Sequence, residues 1–199
     1  MCDSRVREAD ISIIILAAGL SRRMRECDKL LLPLSDGRLM IESAIDLASS
    51  MPVHERILVT TSDRLRQIKS YKGIKVVENL RPEEGQSESI RLGVMAATGD
   101  YYLFMAADQP MLDAKVLNWL VEGARDNPGK IIYPLVSGMP CNPVIFPNTF
   151  KDDLLSLEGD EGGRKIIKRH PNACFAPEAN AKWQKKFIDI DTLEEYSKL

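Results

Sequence analysis

Four short runs of apolar residues lie in the first half of the chain, each followed by a helical pattern or a turn. The apolar runs cover residues 11–16, 56–61, 74–77 and 101–106. They are rich in β-branched and aromatic side chains and do not alternate with polar residues, which is typical of parallel strands buried on both faces. The helical patterns cover residues 40–50, 62–70, 88–97 and 114–126. This order predicts a Rossmann-like α/β fold, with a mainly parallel sheet and helices on both of its faces.

The pattern is weaker in the second half of the chain. Short strands are predicted at residues 131–133, 143–146 and 187–190, and helices at residues 148–157 and 163–170. A last helix is predicted to begin at Asp191 or Thr192, because Thr192 and Glu195 form a capping-box pattern. The chain has 199 residues and shows neither a repeat nor a linker, so we expect one domain over residues 1–199.

The charge balance argues against a polyanionic partner. Lys and Arg number 27 against 29 Asp and Glu, so the formal net charge is -2 and no general basic field is available to hold nucleic acid. The apolar run that begins at Ile11 is about half of the roughly 20 residues that a membrane span needs. The first ten residues lack the pattern of a secretory signal. We therefore expect a cytoplasmic protein that binds neither nucleic acid nor membrane.

Cysteine and histidine are too sparse for a disulfide scaffold or a zinc centre. The four cysteines have no C-x-x-C spacing and are expected to be reduced thiols; they are Cys2, Cys27, Cys141 and Cys174. His54 and His170 are the only histidines, so a zinc site or a His-dependent triad would have little to build on.

A loop of small residues follows the first predicted strand. The chain runs Leu16-Ala17-Ala18-Gly19, and Ser21, Arg23 and Lys29 come next. Small side chains let the backbone approach a ligand, and consecutive N–H groups in such a turn bind phosphate oxygens. Neither the dinucleotide fingerprint nor a P-loop is present. An ordinary structural turn is the alternative, but the cations that follow favour a phosphate site.

The fourth predicted strand ends in a carboxylate. Asp108 follows it directly and precedes Gln109 and Pro110. Ligands of open α/β sheets bind beyond the carboxyl ends of the strands, and Mg²⁺ prefers carboxylate and phosphate oxygens. The alternative role for Asp108 is to cap the next helix, for which Asp113 is better placed. Asp108 is thus a predicted Mg²⁺ ligand.

The string LAAGLSRRM with a trailing lysine resembles the motif of nucleotidyltransferases that build activated sugars, isoprenoid intermediates and molybdenum cofactor dinucleotides. The resemblance implies a fold of the nucleotide-diphospho-sugar transferase type. It also implies that the loop from Leu16 to Gly19, with Ser21, binds a nucleoside triphosphate, and that Arg23 and Lys29 act as catalytic cations on its phosphates. One departure is Arg25, which stands where many relatives carry glycine.

The loop together with Asp108-Gln109-Pro110 resembles the molybdenum cofactor cytidylyltransferase branch. Members of that branch carry alanine where Ala18 stands, whereas guanylyl relatives tend to carry a second glycine, so the resemblance favours CTP. It implies Mg²⁺-dependent transfer of CMP from CTP to the phosphate of a molybdopterin-type cofactor, with release of pyrophosphate. It further implies a molybdenum hydroxylase as a client of the product.

A further segment resembles the G-x-S-x-S-x-R element that contacts the nucleotide in this family. Its residues here are Gly85, Ser87, Ser89 and Arg91. The competing interpretation is that one of the two serines caps the helix. Residues 11–112 would then form the nucleotide-binding half of the chain.

Residues 113–199 would form the acceptor half. Asn142 and Pro143 lie in a segment that resembles G-x-P-V-x-F, although relatives usually carry histidine at the position of Asn142. Asp160 and Arg164 lie in a segment that resembles L-x-G-D-x-G-x-R, which a surface turn would also explain. The ending of the chain resembles D-I-D-T-P-E-D, so Asp189 or Asp191 is a second candidate metal ligand, with helix capping as the competing role for Asp191.

Two other functions remain open from the sequence. The loop is shared by nucleotidyltransferases that act on sugar or polyol phosphates. A non-catalytic accessory protein for a molybdenum hydroxylase is compatible with Arg25 and Asn142, whereas Lys29 and Asp108 argue against it. A nicotinamide dehydrogenase is disfavoured because its glycine fingerprint is missing.

Overall fold

A parallel sheet forms the first half of the protein. The computed structural model describes residues 10–20, 24 and 27–199. The central strand β1 (Ile11–Ala17) pairs in parallel with β2 (Glu55–Thr60) on one side and β4 (Tyr101–Ala106) on the other. Strand β3 (Lys75–Glu78) pairs in parallel with β2 at the sheet edge. The four predicted strands and their parallel pairing are confirmed.

Three shorter strands complete a seven-stranded sheet of order β3-β2-β1-β4-β8-β5-β9. Strand β8 (Val144–Pro147) runs antiparallel to β4, β5 (Ile131–Ile132) runs antiparallel to β8, and β9 (Cys174–Phe175) pairs in parallel with β5. A separate two-stranded hairpin joins β6 (Leu135–Val136) to β7 (Met139–Pro140). The hairpin and β9 were not predicted, because two-residue strands leave no periodic pattern.

Helices cover both faces of the sheet, as the sequence predicts. The longer ones are α1 (Met40–Ser50), α3 (Gln86–Ala96) and α4 (Ala114–Asp126). The shorter ones are α2 (Ser62–Leu65), α5 (Lys151–Leu155), α6 (Gly163–Arg169) and α7 (Leu193–Tyr196). Single 3₁₀ turns include Lys29–Leu31 and Pro82–Glu84, and a longer 3₁₀ helix covers Ala181–Phe187.

Two apolar cores form because successive side chains of β1 point to opposite faces. Ile13 and Ile15 pack with the buried faces of α1 and α4. Ile14 packs on the other face, among side chains of α3, β8, α5 and α6. The sheet is therefore covered on both sides and its carboxyl-end loops are left free to line a cleft.

Two predicted elements are wrong. The helix predicted at residues 62–70 ends at Leu65, because the Lys69 N–H donates to the buried carboxylate of Glu42 at 3.0 Å instead of continuing the helix. The strand predicted at residues 187–190 does not form. Its polar backbone groups bind the turn after β4 instead: the Ile190 N–H donates to the Asp108 carbonyl at 2.9 Å, and the Phe187 carbonyl accepts from Gln109.

Several local predictions are confirmed. The Asp113 side chain caps α4 by accepting from the Val116 N–H, and Thr192 and Glu195 form the capping box of α7. Thr192 rather than Asp191 is therefore the cap. The three cysteines in the described part of the chain are free thiols. Among the described helices, none is long and apolar enough to cross a membrane.

Candidate functional site

The loop after β1 and the turn after β4 meet at the carboxyl edge of the sheet. The register places Leu16 opposite Ala106, and the Ala107 N–H donates to the Leu16 carbonyl at 3.2 Å. A cleft of about 320 Å³ opens there. Its lining residues include Leu16, Ala18, Gly19, Lys29, Gly85, Gln86, Ser89, Asp108, Asp160 and Asp191. A Cβ built on Gly19 would have no atom of the described residues within 4 Å, so on this side the loop backbone faces the cleft.

Lys29 joins two carboxylates at the floor of this cleft. Its Nζ lies 2.6 Å from Asp108 Oδ2 and 2.8 Å from Asp191 Oδ1, and only 13% of its side chain is exposed. Burial opposes the charged form, but Asp108 and Asp191 outweigh this effect and raise the pKa of Lys29. The amine therefore stays cationic, and it connects the predicted nucleotide half of the chain to its C-terminal segment.

Asp108 retains an unused acceptor. Its Oδ1 is buried and accepts no hydrogen bond from the part of the chain that the structure describes, while Oδ2 accepts from the Lys29 amine. In the described part of the chain no group of three His, Cys, Asp or Glu side chains is placed to hold a metal. Mg²⁺ is usually held by one or two carboxylates together with substrate phosphates, so Asp108 with Asp191 fits an ion completed by its substrate.

Asp189 stands beside the same charges. The residue is exposed at its surface, but desolvation of its carboxyl group, followed by the negative charges of Asp108 and Asp191, raises its pKa to about 6. Both aspartates of the predicted C-terminal pair thus approach Asp108. Asp191 makes the direct contact with Lys29, which the sequence left undecided between metal ligation and helix capping.

The segment before α3 lies where the two halves touch. Gly85 has a φ of +91°, and a Cβ built on it would lie 2.4 Å from the Gly159 carbonyl oxygen. The Ser87 N–H donates to that carbonyl at 3.0 Å. Neither Ser87 nor Ser89 is the helix cap, since Gly85 holds that position. Ser89 instead accepts a hydrogen bond from the buried Asn79 amide at 3.0 Å.

The other predicted nucleotide contacts are distributed unevenly. Ala17 and Ser87 are buried next to the lining residues but do not line the cleft. Arg91 also lies outside the lining, and its Nε and Nη2 both donate to the Glu88 carboxylate. Ser21 and Arg23 lie outside the described residues, as does Arg25, so their predicted roles stay predictions.

A second cleft of about 640 Å³ continues from the first on the side of the second half. The two clefts share Leu16, Gln86, Ala106, Asp108, Asp160 and Asp191. Asn142, Arg164 and Asp189 line the second cleft only, and Arg164 Nη2 donates to the Pro140 carbonyl at 3.0 Å. Pro143 is buried behind Asn142 and is not part of the lining. The predicted acceptor residues thus gather beside Asp108, with Pro143 as the exception.

A third cleft, of about 870 Å³, adjoins the first through Ala18, Leu20 and Pro82. Arg64 and Asn79 line it, and both are buried although polar. The sequence analysis did not find them. Each follows a predicted strand within a few residues, and that position at the carboxyl edge of the sheet is the signal that could have found them.

The chain is similar to known proteins along most of its length. Residues 13–174 match the MobA-like NTP transferase domain. The purine catabolism protein PucB of Bacillus subtilis (strain 168) is 31% identical over 199 residues, and the match covers 92% of each chain. A molybdenum cofactor guanylyltransferase of Mesorhizobium japonicum is 28% identical over 171 residues, covering 81% of this chain and 80% of the relative.

The fold is similar to solved structures as well. The homologue of Mycobacterium tuberculosis Rv0371c from Mycobacterium sp. strain JC1 superposes with a TM-score of 0.81 at 22% identity, covering 97% of this chain and 96% of that one. The predicted α/β fold of the nucleotide-diphospho-sugar transferase type is confirmed.

Proposed function

Because this chain belongs to the family of MobA-like NTP transferase domains, we propose that it transfers CMP from CTP to the phosphate of a molybdopterin-type cofactor and releases pyrophosphate. A terminal phosphate oxygen of the acceptor forms a bond to the α-phosphorus of CTP. The bond from that phosphorus to the bridging oxygen breaks, and pyrophosphate leaves with the electron pair. The product would serve a molybdenum hydroxylase.

The position of Lys29 carries this proposal. A cationic amine held by two carboxylates lies in the cleft that the small-residue loop lines. Phosphoryl transfer depends mainly on positioning and on charge stabilisation, because little covalent chemistry is left to the protein. Lys29 would contact the triphosphate, while the backbone of Ala18 and Gly19 would receive its oxygens.

Asp108, together with Asp191, would hold Mg²⁺. The buried and unused Oδ1 of Asp108 supports this assignment. When bound, the ion would neutralise charge on the phosphates. The acceptor would lie in the adjoining cleft, where Arg164 supplies positive charge and Asn142 supplies a neutral hydrogen-bonding group.

CTP is proposed as the nucleotide because alanine stands at position 18, which lines the cleft. GTP is the second candidate, because a relative similar over four fifths of this chain is named molybdenum cofactor guanylyltransferase. A sugar-phosphate or polyol-phosphate acceptor and a non-catalytic accessory role are the remaining alternatives to the proposal.

Calorimetric titration of the full chain with CTP, GTP, ATP and UTP, each with and without Mg²⁺, tests the nucleotide. We expect Mg²⁺-dependent binding of CTP that Lys29→Ala weakens by ~100-fold or more, because a partly buried cation is lost from the phosphates. Lys75→Ala is the matched control, since Lys75 lies on the edge strand β3 and donates to the Ala96 carbonyl, away from the cleft. Preferential binding of GTP would replace CTP in the proposal.

Release of pyrophosphate in the presence of molybdopterin cofactor tests the acceptor. The measurement is repeated with sugar phosphates and polyol phosphates in its place. Turnover with one of these would redirect the acceptor, and triphosphate binding without turnover on any of them would favour the accessory role.

A further inference from the structure

Arg64 ties three parts of the candidate nucleotide site together. It lies in the one-turn helix α2 at the carboxyl end of β2, and only 4% of the residue is exposed. Its Nη1 donates to the Ala17 carbonyl at 2.6 Å and its Nη2 to the Gly19 carbonyl at 2.6 Å. Its Nε and Nη2 also bind both oxygens of Asp28. A rigid guanidinium fork thus connects the small-residue loop to the residue before Lys29.

The contacts with the loop fix the direction of two peptide groups. In a trans peptide the N–H of a residue points opposite to the carbonyl of the residue before it. Arg64 holds the carbonyls of Ala17 and Gly19 on its own side, so the N–H groups of Ala18 and Leu20 point away from the guanidinium. Ala18 and Leu20 lie between the cleft that contains Lys29, which Arg64 does not line, and the third cleft, which Arg64 does line.

The contact with Asp28 fixes the neighbour of Lys29. Asp28 Oδ1 accepts from the Leu30 N–H at 3.1 Å and so caps the 3₁₀ turn Lys29–Leu31. The same carboxylate is clamped by Arg64. Arg64 therefore fixes the backbone position of Lys29 through Asp28.

We propose that Arg64 is the positioning residue of the nucleotide site, which aims the loop N–H groups and the Lys29 amine at the same triphosphate. It acts through Ala17, Gly19 and Asp28 and does not itself contact the phosphates. The inference rests on the proposed function, because it concerns how that site is organised before the nucleotide arrives. Preorganised donors stabilise charge without the cost of reorganisation during the reaction.

The test compares Arg64→Lys with Arg56→Lys. Arg56 also donates to two backbone carbonyls, those of Ala48 and Met51, but at the opposite end of β2. Lysine keeps the charge and loses the fork in both variants. We expect Arg64→Lys to raise the Kd for Mg²⁺-CTP and the KM for the nucleotide by ~10-fold or more, because a misplaced loop and amine bind the phosphates less well. The KM for the acceptor and the affinity of Arg56→Lys should change by less than about twofold, since neither depends on this clamp.

The outcomes separate the inference from the proposed function. If Lys29→Ala loses nucleotide binding while Arg64→Lys binds as the wild type does, the positioning role is overturned and the proposed function stands. If the wild type binds none of the four triphosphates, both are overturned. Equal losses in Arg64→Lys and Arg56→Lys would reduce Arg64 to a general stabilising residue.

A second variant covers the case in which Arg64→Lys does not fold. Asp28→Asn keeps the two hydrogen bonds from the guanidinium to the carbonyls of Ala17 and Gly19. It removes the negative charge from the side chain that Arg64 binds next to Lys29. We expect the Kd for Mg²⁺-CTP to rise several-fold although the hydrogen bonds from Arg64 to the loop are kept. An unchanged Kd in a folded Asp28→Asn would overturn the connection to Lys29.

Discussion

The two halves of the sheet position their parts of the site in different ways. On the nucleotide side, β1, β2, β3 and β4 are parallel, and their carboxyl ends meet at one edge. On the acceptor side, the antiparallel β8 is followed outward by strands of two residues, and the site residues lie on the segments between them. Backbone geometry places the first set of residues, whereas individual side-chain and loop contacts place the second.

Individual hydrogen bonds connect the halves at the cleft. The Gly159 carbonyl accepts from the Ser87 N–H, and Asp191 binds Lys29. The turn after β4 carries Asp108 between them and lines both clefts. This arrangement predicts that a substitution on one side changes the binding of one substrate. A substitution at Asp108, or at the contact between the halves, should change the binding of both substrates.

The largest effect is expected at Asp108, whose carboxylate lines both clefts. Asp108→Asn keeps the shape of the side chain and removes its charge, so kcat should fall by ~10³-fold or more through loss of metal and phosphate positioning. The far-ultraviolet circular dichroism and the melting temperature should stay close to those of the wild type. Asp100→Asn is the matched control, because Asp100 lies at the opposite end of β4, where its carboxylate accepts from the exposed Asn148. Wild-type turnover in Asp108→Asn would contradict the proposed role.

The nucleotide side of this site could be predicted because its residues follow long strands directly. Leu16, Gly19 and Asp108 each stand at the end of an apolar run, and the sheet brings such ends together. Lys29 was identified because it follows the small-residue loop within about ten residues and because the family motif that the loop resembles has a trailing lysine. Its pairing with Asp191 could not be derived, because the two residues lie 162 positions apart and no pattern encodes that contact.

Gly85→Ala tests whether the contact between the halves is sterically tight. Alanine there would meet the Gly159 carbonyl at 2.4 Å and would also carry the strain of φ +91°. Gly138→Ala carries a similar strain, at φ +75°, in open space. We expect a loss of ~2–4 kcal/mol in the free energy of unfolding for Gly85→Ala and ~1 kcal/mol for Gly138→Ala. Urea unfolding of both variants measures the difference, and equal losses would mean that the two loops move apart at no cost.

The second half was predicted less well for a physical reason. Strands of two residues carry no period, so β6, β7 and β9 left no signal, and the segment at residues 187–190 showed an apolar pattern without a partner strand. That segment is held by Asp108 and Gln109, which are distant in sequence. The acceptor residues Asn142, Asp160 and Arg164 were found only through the family resemblance.

Gly19→Val should weaken the nucleotide side alone. Among the described residues no atom lies within 4 Å of a Cβ built at this position, so folding is expected to be preserved. It would occupy the space in which phosphate oxygens approach the loop, and the Kd for Mg²⁺-CTP should rise by ~10-fold or more. Gly19→Ala should give a smaller rise. A KM for the acceptor that increases as much as that for the nucleotide would break the division between the halves.

Arg164→Gln should weaken the acceptor side alone. The variant keeps a hydrogen-bond donor but removes the one arginine that lines the second cleft within the described residues. The KM for the molybdopterin cofactor should rise by roughly fivefold, because an exposed cation contributes only modestly to binding a phosphate. The Kd for Mg²⁺-CTP should not change. Gly19→Val should thus weaken only nucleotide binding, and Arg164→Gln should weaken only acceptor binding. A loss of nucleotide affinity in Arg164→Gln would mean that the two clefts act as one site.

The smallest effect is expected from the crowding of negative charge at the centre of the site. Asp189 has a raised pKa, about 6 against 3.8 in the unfolded chain, because burial and the charges of Asp108 and Asp191 disfavour its ionised form. Well below pH 3.8 the carboxyl is protonated in both the folded and the unfolded state and does not affect stability. As the pH rises towards 6 the unfolded state ionises first, so the folded state loses stability, and the full cost is present above pH 6.

Asp189→Asn should therefore raise the melting temperature at pH 7 by ~1–2 °C. The rise is small because solvent and salt screen the charge of an exposed residue. It should disappear near pH 4. Asp113→Asn should act in the opposite direction. Burial raises the pKa of Asp113, but Lys186 and the Val116 N–H outweigh it and lower the pKa, so its ionised form stabilises the fold at neutral pH and less so in acid. Thermal melts of both variants from pH 4 to 8 measure the two slopes. The two carboxyl groups have pKa values shifted in opposite directions, so the change in melting temperature with pH should have opposite signs in the two variants. The same sign in both would contradict the destabilising charge assigned to Asp189.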